Sequence, residues 1–440
     1  MTTKTRPASA ITPDGSPPRT RRGGFRRPLQ GGRFAFLAVL GPGLIAANAG
    51  NDAGGIATYS SVGASFGFSL LWAMVLITVS LALVQEMAGR MGAVTGKGFA
   101  ELVREQFGIR VTVFVMLALL IANGGLVVSE FAGIGAASEL FGVSRYVVVP
   151  PMALLLWWLV TRGSYRRVEK VFLLLTVVFF TYPIAAVLAH PHWASVGRQV
   201  VRPTFHASTE YFTLFIAMVG TTITPYMQLY IQSSVAEKGR GVRLKDERID
   251  AYTGAIFSDL IAGFIIIATG ATLFIAGTQI NSAADAAKAL EPLAGSYAKV
   301  LFGIGLFGAS MLAAAILPLA TAYPVAEAFG FEKGVSRTFR EAPVFLGLFT
   351  GLIAVGAAFS LIPGLDVIQL LIVTQVLNGL LLPVVLISIL RIVNDREVMG
   401  QHVNGRTYNF ISWTTVAFVV TLSTIYLVIT ILGIVGVSIG

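Results

Sequence analysis

Residues 47–55 read Ala-Asn-Ala-Gly-Asn-Asp-Ala-Gly-Gly, and they interrupt an apolar run that extends from 34 to 62. A membrane-spanning helix rarely carries a carboxylate and several glycines at mid-depth. Glycine weakens a helix by about 1 kcal/mol relative to alanine, and a charge at the bilayer centre costs several times as much. Irregular backbone is tolerated there only where protein or water satisfies its polar groups. The stretch therefore predicts an unwound segment that lines a polar cavity.

A second interruption lies in the apolar run 211–236, where residues 220–226 read Gly-Thr-Thr-Ile-Thr-Pro-Tyr. Pro225 lacks a backbone donor and its ring clashes with the preceding turn of a helix. A lone glycine or proline in a membrane helix indicates only a packing notch or a kink. Two breaks in corresponding places, one of them holding an aspartate, indicate instead a transporter whose substrate binds between two broken helices.

The composition places the chain in a bilayer. Of its 440 residues 55% are hydrophobic and only 12% are charged, against about 25% charged in an average soluble domain. Soluble enzymes, DNA-binding proteins and disulfide scaffolds are excluded on this ground, so the net charge of +10 does not indicate a nucleic-acid partner. Because the chain has no cysteine, it offers no disulfide, thiolate metal site or redox motif.

Apolar runs long enough to cross a bilayer predict eleven spans. They lie near 34–62, 68–90, 111–141, 146–163, 169–190, 211–236, 250–278, 296–328, 343–362, 367–392 and 412–436. Residues 1–33 are rich in Pro, Gly, Ser and Arg and contain no signal-peptide core, which predicts a disordered basic tail.

The spans group into two repeats of five, at 34–190 and 211–392, followed by an eleventh helix at 412–436. Because five is odd, the second repeat enters the membrane from the opposite face, which makes the repeat inverted. The predicted fold is thus an all-α polytopic membrane protein with five plus five helices, of which helices 1 and 6 are broken.

The basic residues predict the orientation of these spans. With the N-terminus in the cytoplasm, 27 of the 32 Lys and Arg residues fall on the cytoplasmic side and five outside. Short cytoplasmic loops carry such an excess. The chain is therefore expected in the plasma (inner) membrane, with its N-terminus in the cytoplasm and its C-terminus outside.

Three motifs resemble the Nramp family of divalent metal transporters. Residues 41–58, from Gly-Pro-Gly-Leu-Ile to Asp-Ala-Gly-Gly-Ile-Ala-Thr, are similar to the family's first helix, whose signature is Asp-Pro-Gly-Asn. Residues 85–97 resemble the end of its second helix, and 220–226 its Gly-Ala-Thr-Val-Met-Pro-His. The likeness covers about 34–392 and implies the leucine-transporter-type fold and transport of a divalent cation.

The resemblance also implies which residues bind the ion. In the family these are the aspartate and asparagine of helix 1, a methionine of helix 6, and main-chain carbonyls at both breaks, with polar positions of helix 10 facing the site. The corresponding set in this sequence is Asp52, Ala49, Gly55, Thr221, Thr224, Gln228, Gln375 and Asn378.

Two members of that set depart from the family pattern. Gly55 replaces the asparagine and Thr224 the methionine, so the soft thioether that favours manganese and iron is missing. A wider, oxygen-only cavity suits partly hydrated Mg²⁺, which loses its water reluctantly. The substitutions resemble those of the Nramp-related magnesium transporters, and they predict Mg²⁺, with Mn²⁺ as a further substrate.

The family's proton route is depleted in this sequence. Val127 stands where the family has an aspartate one turn before Glu130, and Tyr226 stands where it has a histidine. All four histidines, His190, His192, His206 and His402, fall in predicted loops. We therefore expect no obligatory proton coupling, although Glu130 remains able to titrate.

Two further acids lie within predicted spans. Asp259 has two open interpretations, an acid lining a vestibule or proton route and a buried acid that holds helices together; Glu130 has the same two. Glu86 lies one helical turn before Arg90, a spacing that predicts a structural ion pair.

Three functions remain open from the sequence. The first is an Mg²⁺-preferring transporter driven by the ion gradient and membrane potential. The second is a proton-coupled Mn²⁺/Fe²⁺ symporter. The third is an organic-solute symporter on the same fold, which Asp52 disfavours because a fixed anion repels a substrate carboxylate.

An enzyme is not expected, since no nucleophile and base pair is visible. We expect no cofactor, the divalent ion and the lipid bilayer as partners, no nucleic acid, and no requirement for an oligomer.

Overall fold

The structure is a computed structural model that describes residues 51–161, 180–238, 243–334 and 337–434. Side chains are described throughout these ranges except at 237, 238, 433 and 434. All regular secondary structure in them is helical, and they belong to one compact unit, Leu40–Gly440. The tail predicted at 1–33 and the beginning of the first span lie outside the described residues.

Thirteen helices of the described ranges are labelled here. They are α1 Ala53–Phe66, α2 Leu71–Thr95, α3 Phe99–Leu140, α4 Arg145–Thr161, α5 Thr181–Leu188, α6 Trp193–Val201, α7 Thr209–Thr222, α8 Pro225–Lys238, α9 Leu244–Thr272, α10 Ala298–Phe329, α11 Pro343–Ser360, α12 Val367–Val393 and α13 Arg406–Ile434. Short helical turns fill 283–297 and 396–402.

Eight helical stretches of the described residues are long and apolar enough to cross a membrane, with α4 as a further, shorter one. The stretch Thr209–Ala236, which contains α7 and α8, is among the eight. The first and fifth predicted spans are represented by α1 and α5, because the rest of each lies outside the described residues. Large apolar side chains such as Val75, Leu76 and Phe114 are about half exposed. Such exposed apolar surface is normal where a helix faces lipid.

The predicted break in the sixth span is confirmed. Helix α7 ends at Thr222, Ile223 leaves the helical region with φ −108° and ψ 58°, and α8 begins at Pro225. A proline is well suited to begin a helix, because the first N–H groups of a helix have no intrahelical partner. The sequence thus both ends α7 and starts α8 within two residues.

Helix α3 is longer than the span predicted at 111–141, because a separate helical segment precedes it. Gly108 has φ 74° and ψ 176° inside α3, where the helix kinks. Only glycine adopts such a conformation readily. The residues from Phe99 to the kink precede the apolar span.

Glycines bring α7 and α12 into backbone contact. A Cβ atom on Gly220 would lie 2.5 Å from the backbone nitrogen of Gly379, and one on Gly379 would lie 2.6 Å from the carbonyl oxygen of Ile216. Small residues at helix interfaces in membranes allow this close approach. The contact holds the end of α7 beside the polar residues of α12.

Candidate functional site

Asp52 caps the start of α1 at the first predicted break. Its backbone is extended, with φ −70° and ψ −179°, and its Oδ1 accepts a hydrogen bond of 2.6 Å from the backbone N–H of Gly55. Aspartate is a preferred residue at this position, because its oxygen satisfies one of the unpaired N–H groups of the first turn. The side chain is 1% exposed, so a carboxylate is held at a helix start inside the protein.

Glu130 of α3 lies beside the same helix start. Its Oε2 accepts a hydrogen bond of 3.4 Å from the backbone N–H of Ala53, and the residue is fully buried. Asp52 is close enough to Glu130 for electrostatic repulsion between the two carboxylates. Two acids against one helix terminus create a local negative potential that favours a cation.

Helix α12 supplies two amides to the site. Gln375 Nε2 donates to Asp52 Oδ1 at 3.3 Å, and Asn378 Nδ2 lies 3.5 Å from Gln375 Oε1. Both residues are fully buried. A Cβ atom on Gly54 would overlap the side-chain amide of Gln375. The absence of a side chain at Gly54, two residues after Asp52, therefore leaves space for that amide.

The break between α7 and α8 faces these groups. Thr221, Thr224 and Gln228 are buried, and Gln228 Nε2 lies 3.5 Å from the carbonyl oxygen of Thr224. Tyr226 neighbours the Thr224 hydroxyl and interacts electrostatically with both Asp52 and Glu130. The start of α8 therefore lies opposite the start of α1.

Tyr59 joins α1 to α7. Its hydroxyl lies 2.8 Å from Thr222 Oγ1, and it also interacts with Thr221 and Asp52. Tyr59 follows Asp52 by seven residues, which is two helical turns and places both on one face of α1. That spacing is visible in the sequence, but the residue was not predicted to belong to the site.

Several buried acceptor oxygens at this meeting point accept no hydrogen bond from the described residues. They include Asp52 Oδ2, Glu130 Oε1, Gln228 Oε1 and Asn378 Oδ1. A buried acceptor without a donor costs free energy, and a hard cation removes that cost by binding the oxygen. Within the described ranges no three His, Cys, Asp or Glu side chains form a metal cluster. The oxygens at this meeting point belong to carboxylate, amide, hydroxyl and main-chain carbonyl groups.

Gly55 and Ala49 complete the predicted set. The N–H of Gly55 donates to Asp52, and Gly55 presents no side chain to the site. Ala49 lies outside the described residues. The structure accordingly brings Asp52, Gln375 and Asn378 into one hydrogen-bonded group, with the α7–α8 residues across from it.

The other positions compared with the family's proton route, Val127 and the four histidines, lie apart from this group. Val127 is buried, and a Cβ atom on Gly356 of α11 would lie 2.6 Å from its Cγ1. The position therefore belongs to an apolar helix contact. All four histidines lie outside the thirteen labelled helices.

Asp259 lies in α9 and faces a cavity between α2 and α9. The preceding residue, Ser258, accepts a hydrogen bond of 3.2 Å from Asn51 Nδ2. Asn51 directly precedes Asp52, so α9 is tied to the first break. Asn51 belongs to the stretch 47–55 that was predicted to line a polar cavity. Its partner Ser258 was not predicted, because a lone serine in an apolar helix gives no signal.

The predicted Glu86 to Arg90 ion pair is confirmed at 3.1 Å, and Arg248 of α9 forms a second ion pair with Glu86 at 2.7 Å. Arg90 also donates to the carbonyl oxygen of His402 and to Asn404 Oδ1. The cluster joins α2, α9 and the segment before α13, which is a structural role.

The sequence is similar to those of known membrane transporters. A family profile described as "Natural resistance-associated macrophage protein-like" matches residues 43–430. A protein of Klebsiella pneumoniae (strain 342) named "Divalent metal cation transporter MntH" is 28% identical over 411 residues, which cover 91% of this chain and 96% of the relative.

Solved structures show the same fold. The Eremococcus coleocola manganese transporter in complex with an aromatic bis-isothiourea substituted compound has a TM-score of 0.69 at 21% identity, covering 90% of this chain and 87% of its own. The nucleobase-cation-symport-1 family transporter MHP1 has a TM-score of 0.54 at 13% identity, with coverages of 88% and 91%. These neighbours confirm the predicted leucine-transporter-type fold.

Proposed function

The chain belongs to the Nramp family of divalent metal transporters, and we propose that it carries Mg²⁺ across the membrane, with Mn²⁺ as a second substrate. The observation that carries this proposal is the group of buried, unpartnered oxygens around Asp52 and Glu130. A divalent cation neutralises the carboxylates and binds the amide oxygens at the same time. No resident cofactor is part of the proposal.

The preference for Mg²⁺ rests on the chemistry of the donor set. The likeness to the family aligns its methionine with Thr224 and its asparagine with Gly55, which removes a soft ligand and shortens one side chain. Magnesium keeps several waters and binds through one or two carboxylates. The amides of Gln228, Gln375 and Asn378 suit contacts with those waters, since each offers both a donor and an acceptor.

We propose that the ion reaches its binding site through a cavity near the C-terminal half of α1. The cavity measures about 440 Å³ and is lined by Ser61, Ser65, Glu210 and Asp366 among others. Its two acids attract cations. In the orientation that the basic loops predict, with the N-terminus in the cytoplasm and the C-terminus outside, this cavity lies on the outer side.

Transport is proposed to run without obligatory proton coupling. The membrane potential contributes about 2.3 kcal/mol per charge for each 100 mV, and hence twice that for a divalent ion. Val127 and Tyr226 supply no group that titrates near neutral pH, in contrast to a histidine. Glu130 binds the N–H of Ala53, so we assign it to holding the start of α1 and to attracting the ion.

An organic-solute symporter is a poorer fit to the site. Such carriers direct helix N-termini at an anionic group of the substrate, whereas here Asp52 occupies the start of α1 and Glu130 lies beside it. The site is already anionic, and this complements a cation.

The test is an uptake assay with purified protein in liposomes. Mg²⁺, Mn²⁺ and Ca²⁺ are compared at equal concentration, with and without an imposed pH gradient, against protein-free liposomes. We expect Mg²⁺ uptake that responds to membrane potential and not to the pH gradient. Uptake of Mn²⁺ alone, accelerated by an acidic outside, would instead support a proton-coupled manganese symporter.

A further inference from the structure

A cavity apart from the ion site opens between α2 and α9. Its volume is about 320 Å³, and its walls are almost entirely apolar. Lining residues include Met74, Val75, Val79, Val200, Leu260 and Phe264. Thr78 and Asp259 are its two polar side chains.

The cavity faces the lipid side of the helices. Val75, Val79, Ile256 and Leu260 line it and are each between 45% and 58% exposed. A Cβ atom on Gly263, which also lines the cavity, would meet nothing within 4 Å. A ligand can therefore enter from the hydrocarbon region of the bilayer without displacing a side chain.

The carboxylate of Asp259 lacks a charge partner in this cavity. The residue is 4% exposed and its Oδ2 accepts no hydrogen bond within the described ranges. Its described polar neighbours include the hydroxyls of Thr78 and Tyr59, and no described basic side chain forms an ion pair with it. A buried carboxylate without a cation is costly, so a positively charged ligand gains free energy by pairing with it.

We propose that this cavity binds a lipophilic amine, with its ammonium group on Asp259 and its apolar body between α2 and α9. A metal ion is a poor occupant, because the waters that would complete its coordination shell find almost only apolar walls around them. A lipid acyl chain would fill the apolar walls but leave the carboxylate unpaired. The apolar body of a lipophilic amine packs against the walls, and its ammonium group pairs with the carboxylate of Asp259.

A hydrogen bond between neighbouring residues links this cavity to the ion site. Ser258, which precedes Asp259, accepts the hydrogen bond from Asn51 beside Asp52. An amine wedged between α2 and α9 restrains this part of α9 against the first break. We therefore expect it to slow ion uptake without competing with the ion, an effect that rests on the proposed transport function.

Binding is tested on the full chain in lipid nanodiscs, with 2-(1-naphthyl)ethylamine as the probe and 2-(1-naphthyl)ethanol as its neutral match. We expect the amine to bind at least about tenfold more tightly than the alcohol, an advantage lost in Asp259→Asn. Gly263→Phe should fill the cavity and abolish binding of both. Gly351→Phe on α11 is the control, because a Cβ atom there also meets open space.

Equal affinity for amine and alcohol would overturn the proposal in favour of a neutral or acyl occupant. Unchanged amine binding by Gly263→Phe would overturn it as well, and so would equal loss in Gly351→Phe. Because binding is measured without transport, amine binding by a protein that moves no ion would refute the proposed function and leave this site standing.

Discussion

Gln375 Nε2 donates to Asp52 Oδ1 at 3.3 Å and thereby joins the middle of α12 to the start of α1. The two residues are 323 positions apart in the chain and both are buried. The contact uses one oxygen of the carboxylate and leaves Oδ2 without a partner among the described residues. One oxygen is thus held in place while the other remains available to an ion.

Gly54→Ala should separate this pair. The added Cβ atom would overlap the Gln375 amide, so that amide must move away from Asp52. We expect Mg²⁺ uptake in liposomes to fall by about tenfold or more, which corresponds to about 1.4 kcal/mol, although alanine favours a helix over glycine.

The matched control for this change is Gly351→Ala in α11, where the new Cβ atom meets open space. It should leave uptake unchanged. Wild-type uptake by the Gly54→Ala protein would show that the position of the Gln375 amide does not matter to transport.

Gly55→Asn combined with Thr224→Met should move selectivity toward Mn²⁺. The asparagine supplies an amide oxygen to the site and the methionine a thioether, and soft ligands favour transition metals over Mg²⁺. The measurement is the ratio of Mn²⁺ to Mg²⁺ uptake under competition, with each single substitution measured alongside. If the ratio stays at the wild-type value in the double variant, selectivity is set by other residues.

Mg²⁺ uptake should proceed without proton entry. Val127 lies in an apolar contact with α11, and the four histidines lie outside the labelled helices. Of the positions compared with the family's proton route, Glu130 is the acid that this chain keeps. A pH-sensitive dye inside the liposomes should report no acidification while Mg²⁺ enters, and an imposed pH gradient should not drive uphill uptake. Stoichiometric proton entry that disappears in Glu130→Gln would contradict this.

Glu86→Gln should destabilise the fold. Glu86 and Arg90 have side chains that are 1% and 5% exposed, and the change leaves the Arg90 charge buried without its carboxylate. Breaking such a buried pair costs about 3 kcal/mol or more, which should lower the unfolding midpoint in detergent. Glu105→Gln, which removes an exposed partner of Lys97, should cost under about 1 kcal/mol. Equal midpoints for the two variants would show that the buried cluster is not stabilising.

Much of the fold could be predicted from the sequence, because the features that indicate spans and breaks are local. Apolar runs of the right length predict spans. Pro225 predicts one break because it disrupts a helix, and the polar stretch around Asp52 predicts the other because a charge is costly in a lipid-facing helix. The helical segment of α3 before Gly108 was not predicted, since it is not part of the apolar run at 111–141. The two repeat boundaries stay predictions.

Much of the site depends on contacts that no local pattern encodes. The spacing of Gln375 and Asn378 suggests only a polar face of α12, and their approach to Asp52 requires Gly54 and the close packing of Gly220 against α12. The Asn51 to Ser258 hydrogen bond joins residues 207 positions apart. Such pairings become visible only when the helices are packed together.

The proposed transport function requires Asp52 to act as an ion ligand and not only as a helix cap, and Asp52→Asn separates the two roles. Asparagine caps a helix about as well as aspartate, so the hydrogen bond to Gly55 and the unfolding midpoint should be kept, while Asp52→Ala loses both cap and charge. The decisive measurement is the rate of Mg²⁺ uptake by the Asp52→Asn protein in liposomes. If Asp52 binds the ion, the folded Asp52→Asn protein should lose uptake; uptake near the wild-type rate would show that Asp52 is only a helix cap.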